Sequence, residues 1–181
     1  TDTSKQFALF IDEINRANIS AVFGELITLI EDDKRMGAEN EMWVELPYSN
    51  DKFCVPSNLY IIGTMNTADR SIALLDIALR RRFEFKALYP LYTENTWWAP
   101  LLQAINQAIY NWKKNPDFFI GHAFFINKLE SDKTKIINTK IIPLLYEYCQ
   151  NNADSVKRIL LEAGIQLRPT GIKENFLIIA E

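Results

Sequence analysis

An α/β core of parallel strands followed by an α-helical subdomain is the fold class this sequence predicts, on three observations. Two short apolar runs, Phe7-Ala-Leu-Phe-Ile11 and Leu59-Tyr-Ile-Ile62, each end abruptly in polar residues. Runs this short suit strands buried on both faces of a parallel sheet rather than free-standing helices. Between them, Ile19, Val22, Phe23, Leu26, Ile27 and Ile30 recur at three-and-four spacing, which predicts an amphipathic helix packed on that sheet. Further on, Trp97, Trp98, Leu101, Leu102, Ile105, Ile109 and Trp112 form a second helical stripe, with its tryptophans expected in a core. The division expected is residues 1–90 for the α/β part and 91–181 for the helical part and tail.

Composition narrows the function classes. The 181 residues are 48% hydrophobic and 24% charged, ordinary for a globular chain with one core or one core and a small appendage. A net charge of −3 gives no overall pull on nucleic acid. Cys54 and Cys149 are far apart in sequence and read as reduced, buried thiols. A lone histidine, His122, leaves no His/Cys metal cluster. No apolar run approaches the ~20 residues of a membrane span, and no secretory signal is visible. A cytoplasmic protein without a membrane partner is the expectation.

The chemistry gathers where the two apolar runs stop. The first delivers Asp12 and Glu13; the second delivers Thr64, Asn66, Asp69 and Arg70. Open α/β sheets bind ligands beyond the carboxyl ends of their strands, so parallel neighbours would bring both clusters to one crevice. Apolar residues followed by Asp-Glu form a Walker-B element. Asp12 can hold Mg²⁺ through its water shell, and Glu13 can polarise an attacking water. The competing reading makes both acids partners of the following helix dipole. Asn66 can hydrogen-bond a water or a phosphate without adding charge. The same Asn66–Ser71 stretch also reads as an Asx-turn with Ser71 capping the next helix.

Three strings together carry a family resemblance: Ile11-Asp-Glu-Ile-Asn-Arg-Ala-Asn18, Gly63-Thr-Met-Asn-Thr-Ala-Asp-Arg-Ser71 and Leu75-Asp-Ile-Ala-Leu-Arg-Arg-Arg-Phe83. Together they resemble the AAA+ domain of McrB-type proteins, the GTP-hydrolysing motor subunits of methylation-dependent restriction systems. The resemblance is dense from Phe7 to about Pro90 and thinner through Ile120-Gly-His-Ala-Phe-Phe125, where Ala and Phe replace the family's Ser and Tyr. It implies a partial AAA+ (P-loop NTPase) core followed by a helical lid. It assigns Asn66 as sensor 1 and His122 as a residue where lid meets nucleotide, with a structural histidine as the alternative; Asp69 and Arg70 read as bracing each other or Asn66. Of Arg80, Arg81 and Arg82, it favours Arg81 or Arg82 for finger and sensor duties. A finger acting in trans is worth ~10³–10⁵ in rate and implies a head-to-tail ring. The plainer role of these arginines is to neutralise a helix C-terminus.

The remaining elements follow in order. Ile14 to Asn18 is a polar turn into the first helix, which ends in Glu31-Asp-Asp-Lys-Arg35. Met42–Leu46 and Asp51–Val55, joined by Pro47-Tyr-Ser-Asn50, predict a β-hairpin that lines a pore, touches a partner or lies plainly on the surface. A core-facing Trp43 would favour the plain case. Ile72–Leu79 predicts a short helix with an Asp76–Arg80 pair. Phe83-Glu-Phe-Lys-Ala-Leu88 alternates and predicts a last strand. Asn115-Pro-Asp117 breaks the aromatic helix; Ile136–Tyr148 and Ser155–Ala163 read as lid helices, and Asn175–Ala180 as a short strand or tail.

No Gly-x-x-x-x-Gly-Lys-Ser/Thr occurs, and the chain starts at Thr1. With the resemblance, this implies a fragment that begins after the P-loop and lacks a central strand, which a rearranged edge or strand exchange would compensate. Mg²⁺ and GTP (or ATP) belong to the full-length protein; the fragment alone is expected to bind neither tightly and to be inactive. The expected partners are a homo-oligomeric, hexameric ring, a McrC-like endonuclease subunit, and DNA reached through an absent N-terminal domain. The alternatives are a generic AAA+ ATPase of another remodelling system and a non-hydrolysing assembly module.

Overall fold

The computed structural model describes residues 4–68, 77–169 and 177–179. The chain divides into two compact units, Thr1–Lys86 and Ala87–Glu181.

In the first unit, β1 (Phe7–Ile11) and β4 (Leu59–Gly63) pair in parallel, with Phe7 opposite Leu59 and Ile11 opposite Gly63. Asn58 fixes the start of this register: its carbonyl accepts from Phe7 N–H at 2.9 Å and its side-chain amide donates to the Lys5 carbonyl at 2.7 Å. The small core beside the pair is Ile14, Ile19 and Leu79, with Ile11, Phe23, Ile27 and Phe83 packed against it. Burial on both faces does not hold for β1. Phe7, Leu9 and Phe10 are exposed, Phe10 at 70%. The sheet here has two strands, too few to enclose both of its faces.

The predicted helix over Ile19–Ile30 is also corrected. The α-helical part, α1, is Ile19–Phe23; Gly24–Ile30 continues as a 3₁₀ run. Asn18 caps α1 by accepting from Ala21 N–H at 3.1 Å. Gly24 adopts φ +51°, which breaks the α ladder, and Val22, within α1, is 70% exposed. Leu29 and Ile30 are buried instead. Arg35 then folds back, its guanidinium donating to the carbonyls of Ile30 and Leu59.

The hairpin forms with shorter arms than expected: β2 (Val44–Glu45) and β3 (Lys52–Phe53) pair antiparallel. Asn50, at φ +56°, closes the turn. Trp43 is 47% exposed, and its indole N–H donates to Glu41 at 2.6 Å, so it does not face the core. Of the predicted Ile72–Leu79 helix, the structure describes α2, Ile77–Arg80. Ser71 and Asp76, and with them the cap and the Asp76–Arg80 pair, lie outside the described residues. The predicted strand over 83–88 is not formed. Alternation makes a strand only where a second backbone supplies the ladder, and no described strand pairs with this stretch.

The second unit is built on α3 (Ala99–Lys113), whose Leu102, Ile105, Ala108 and Ile109 are fully buried. Lys114 ends it in the left-handed region, its N–H returning to the Tyr110 carbonyl at 2.7 Å. Trp98 is buried, while Trp97 and Trp112 pack at the margin of the core. The second helical run starts earlier than predicted. It comprises α4 (Lys133–Ile136), a π-helical stretch Ile137–Ile141 and α5 (Ile142–Tyr148). Pro143 has no N–H and crowds the carbonyl four residues back, and a widened turn ahead of it accommodates both. Asn152 caps α6 (Ala153–Glu162) by accepting from Ser155 N–H at 2.9 Å, and Gly164 follows at φ +76°. β5 (Leu167–Pro169) and β6 (Leu177–Ile179) pair antiparallel. Cys54 and Cys149 are both buried free thiols, with their pKa pushed up chiefly by that burial.

Candidate functional site

The parallel register of β1 and β4 ends both strands at the same level, so Asp12 and Thr64 leave the sheet side by side. Four hydrogen bonds join the two exits. Thr64 N–H donates to the Ile11 carbonyl at 3.0 Å, and Ile14 N–H donates to the Thr64 carbonyl at 2.9 Å. The Thr64 hydroxyl accepts from Glu13 N–H at 3.0 Å and donates to Asp12 Oδ1. Deeper in, buried Asn15 donates from its side-chain amide to the Asn66 carbonyl at 3.3 Å. Asp12, Glu13 and Asn66 are therefore brought together on one rim.

Each side chain there is left in a usable state. Asp12 is exposed; Thr64 occupies one carboxylate oxygen, and the other has no partner among the described residues. Glu13 sits at φ 52°, ψ 47°, a left-handed conformation disfavoured for a residue with a Cβ. Its carboxylate pairs with Arg16 across an exposed one-turn spacing, a contact of ~0–1 kcal/mol at most. Asn66 turns its Oδ1 back to accept from Ala68 N–H at 3.1 Å, forming the Asx-turn that the sequence suggests. The amide nitrogen of Asn66 has no hydrogen-bond partner among the described residues. Among the described residues, no group of three or more His, Cys, Asp or Glu side chains could hold a metal. A single exposed carboxylate of this kind suits Mg²⁺, which keeps most of its water and takes one or two protein oxygens beside phosphates.

The other site candidates fall elsewhere. Asp69 and Arg70 lie outside the described residues. Arg80 rests over the Phe85 ring, its guanidinium carbon 5.5 Å from the centroid. Arg81 is exposed and makes no ion pair among the described residues, whereas Arg82 pairs with Glu31 at 2.7 Å. In the second unit, His122 stacks on Trp98 at 14° between planes, and its Nδ1 accepts from Leu91 N–H at 3.2 Å. That bond leaves Nε2 as the imidazole's free position.

Three residues carry more than the sequence suggests. Thr64 stands out as polar at a strand end, without any hint that its hydroxyl serves two acids. Asn15 lies buried in a turn that reads as polar surface. Asn106, 1% exposed, pairs with Ile120 as a strand backbone would: it accepts from the N–H at 2.7 Å, donates to the carbonyl at 3.0 Å, and also donates to Tyr92 Oη at 3.1 Å. An amide inside the apolar stripe between Ile105 and Ile109 was the available signal.

The first unit's class is settled by comparison: residues 3–83 match the AAA domain of the dynein-related subfamily. Residues 98–157 match the McrB alpha-helical lid domain. The chain is similar to the type IV methyl-directed restriction enzyme EcoKMcrB subunit of Escherichia coli (strain K12), 40% identical over 80% of this chain and 37% of that one. It is also similar to the type II restriction enzyme BsuMI component YdiS of Bacillus subtilis (strain 168), 31% identical over 59% of this chain and 30% of that protein. This chain belongs to the McrB-type AAA+ proteins, with an AAA domain followed by a helical lid. It spans about a third of the length of these curated relatives. Among the described residues, no helix is long and apolar enough to cross a membrane.

Proposed function

We propose that this chain is part of the NTP-hydrolysing motor subunit of a restriction system that acts on modified DNA, with GTP as the preferred nucleotide. The observation that carries the reading is the rim where Thr64 binds both acid residues and Asn15 binds the Asn66 turn. Asp12 is the Mg²⁺ residue, through its open oxygen. The ion, when bound, neutralises charge on the transferring phosphate. Glu13 takes the proton of the attacking water, and the side-chain amide of Asn66 donates to that water or to the γ-phosphate. His122 is the lid's contribution to the nucleotide. Arg81 is the trans finger: it is exposed and makes no ion pair among the described residues, whereas Arg82 is already committed to Glu31.

A finger working in trans requires a head-to-tail homo-oligomer, read here as a hexameric ring. A separate endonuclease subunit would cut, and a further domain would recognise the modified base. Both proposals draw on the restriction enzymes to which the relatives belong.

The test is nucleotide turnover by the full-length protein with Mg²⁺. GTP turnover exceeding ATP turnover, and falling at least about a hundredfold in Glu13→Gln, is the expected result. Turnover of ATP alone points to a remodelling ATPase of another kind. Unimpaired turnover or restriction in Glu13→Gln removes the hydrolytic role of this rim and leaves an assembly module.

A further inference from the structure

We propose that Thr64 is the positioning residue of the site: its hydroxyl sets the geometry of the metal-holding and water-activating acids together and couples them to the Asn66 turn. The inference rests on the reading of Asp12 and Glu13 given above. A threonine hydroxyl has one donor and two acceptor positions. Here the donor goes to Asp12 Oδ1, and an acceptor position goes to Glu13 N–H.

Each bond settles a separate degree of freedom. Held at one oxygen, the Asp12 carboxylate is restrained in rotation, and its other oxygen has no partner among the described residues. The Thr64 hydroxyl holds the Glu13 N–H, and the left-handed conformation of Glu13 at φ 52° turns the next N–H, that of Ile14, onto the Thr64 carbonyl at 2.9 Å. Left-handed backbone is disfavoured for glutamate and needs such an acceptor to persist. The two backbone bonds of Thr64, to Ile11 and from Ile14, hold the hydroxyl in place without involving its side chain. Removal of the hydroxyl alone should therefore free the acids while the strand pairing stays.

Position in the chain adds the coupling. Thr64 precedes Asn66 by two residues, and the Asn66 carbonyl is itself tied to Asn15 on the acid turn at 3.3 Å. The two turns are stitched at both ends, so a displacement of Asn66 toward a phosphate shifts Thr64 and, through it, Asp12 and Glu13. Chain connectivity alone offers no such path, since 51 residues separate Glu13 from Thr64.

The test compares Thr64→Val, which keeps the shape and loses the hydroxyl, with Thr64→Ser, which keeps the hydroxyl. In this 181-residue chain, amide hydrogen exchange at Glu13 should quicken by about five- to tenfold in Thr64→Val and stay near wild type in Thr64→Ser. In the full-length protein, Thr64→Val should need more Mg²⁺ for half-maximal turnover and have a lower kcat, and Thr64→Ser should recover both. Unchanged Glu13 exchange in Thr64→Val overturns the proposal. So does a Thr64→Ser variant that behaves like Thr64→Val, because packing rather than the hydroxyl would then be responsible. Faster exchange with unaltered turnover and Mg²⁺ dependence removes the positioning role and leaves the site reading intact. A wild-type protein that turns over neither GTP nor ATP removes the site reading itself, and the positioning role with it.

Discussion

Arg81 and Arg82 are neighbours in sequence and opposites in circumstance. Arg82 is largely covered and holds Glu31 at 2.7 Å, whereas Arg81 projects into solvent. Substituting each by alanine should therefore separate stability from activity. Arg82→Ala should lower the stability of this chain by about 1 kcal/mol, because a partly buried pair loses one member. Arg81→Ala should leave the denaturation midpoint unmoved, as exposed substitutions usually do, and lower full-length turnover by ~10³ or more. Denaturant titration beside a turnover assay reads both. Equal losses of stability would abolish the distinction, and turnover lost only in Arg82→Ala would move the finger to Arg82. At the same scale, the Ile120–Phe125 string departs from the resembled motif at Ala123 and Phe124, both of which are exposed. Asn106 grips the Ile120 backbone, so the string keeps its path without those two side chains.

Among the elements, β4 ends in a glycine for a reason the distances make plain. A Cβ on Gly63 would stand 2.9 Å from Ile14 Cδ1 and 3.1 Å from its Cγ2. Ile14 is 3% exposed and follows the acid pair directly, so it cannot yield without moving the turn. Gly63→Ala should therefore cost roughly 1–3 kcal/mol as an overpacking substitution, measurable by urea denaturation, and should disturb Glu13 with it. A neutral effect would mean that Ile14 swings aside freely. The hairpin makes a different prediction. Glu41 accepts from Gly37 N–H and from the Trp43 indole, and these bonds hold its carboxyl below the usual range. As pH falls, the unfolded chain takes up this proton first. The stabilisation is complete above the ordinary glutamate value of ~4.3 and is lost as pH falls through the lower folded value. Trp43 fluorescence, with Trp43→Phe as the blank for the other tryptophans, should change below pH ~4. A signal that stays flat there would mean that the indole does not depend on Glu41.

Across the whole molecule, side-chain pattern reported more faithfully than backbone partnership. The parallel pairing of β1 and β4 was legible because both are short apolar runs that stop abruptly in polar residues, as strands of a parallel sheet do. α3 was legible because its stripe spans four turns, long enough for the helical period to be unambiguous. Asp12, Glu13 and Asn66 converge as strand-end logic requires. What stayed hidden depends on partners that periodicity does not encode. Among the described residues the alternation over 83–88 finds no second backbone, and Phe85 and Leu88 are left exposed, Leu88 at 88%. On β1, Phe7, Leu9 and Phe10 likewise stay exposed among the described residues. Gly24 divides a run whose spacing alone reads as one helix, because a single positive φ outweighs a continuous stripe. Thr64 and Asn106 act through particular atoms, and a letter in a sequence does not say which way its hydroxyl or amide turns.

The left-handed twist at Glu13 sets foldability against chemistry at one position. Glycine would relax that backbone and remove the carboxylate in the same stroke. Selection for robustness alone would therefore erode the rim first, and a lineage freed from the need for that carboxylate could become sturdier while every strand and helix stayed where it is.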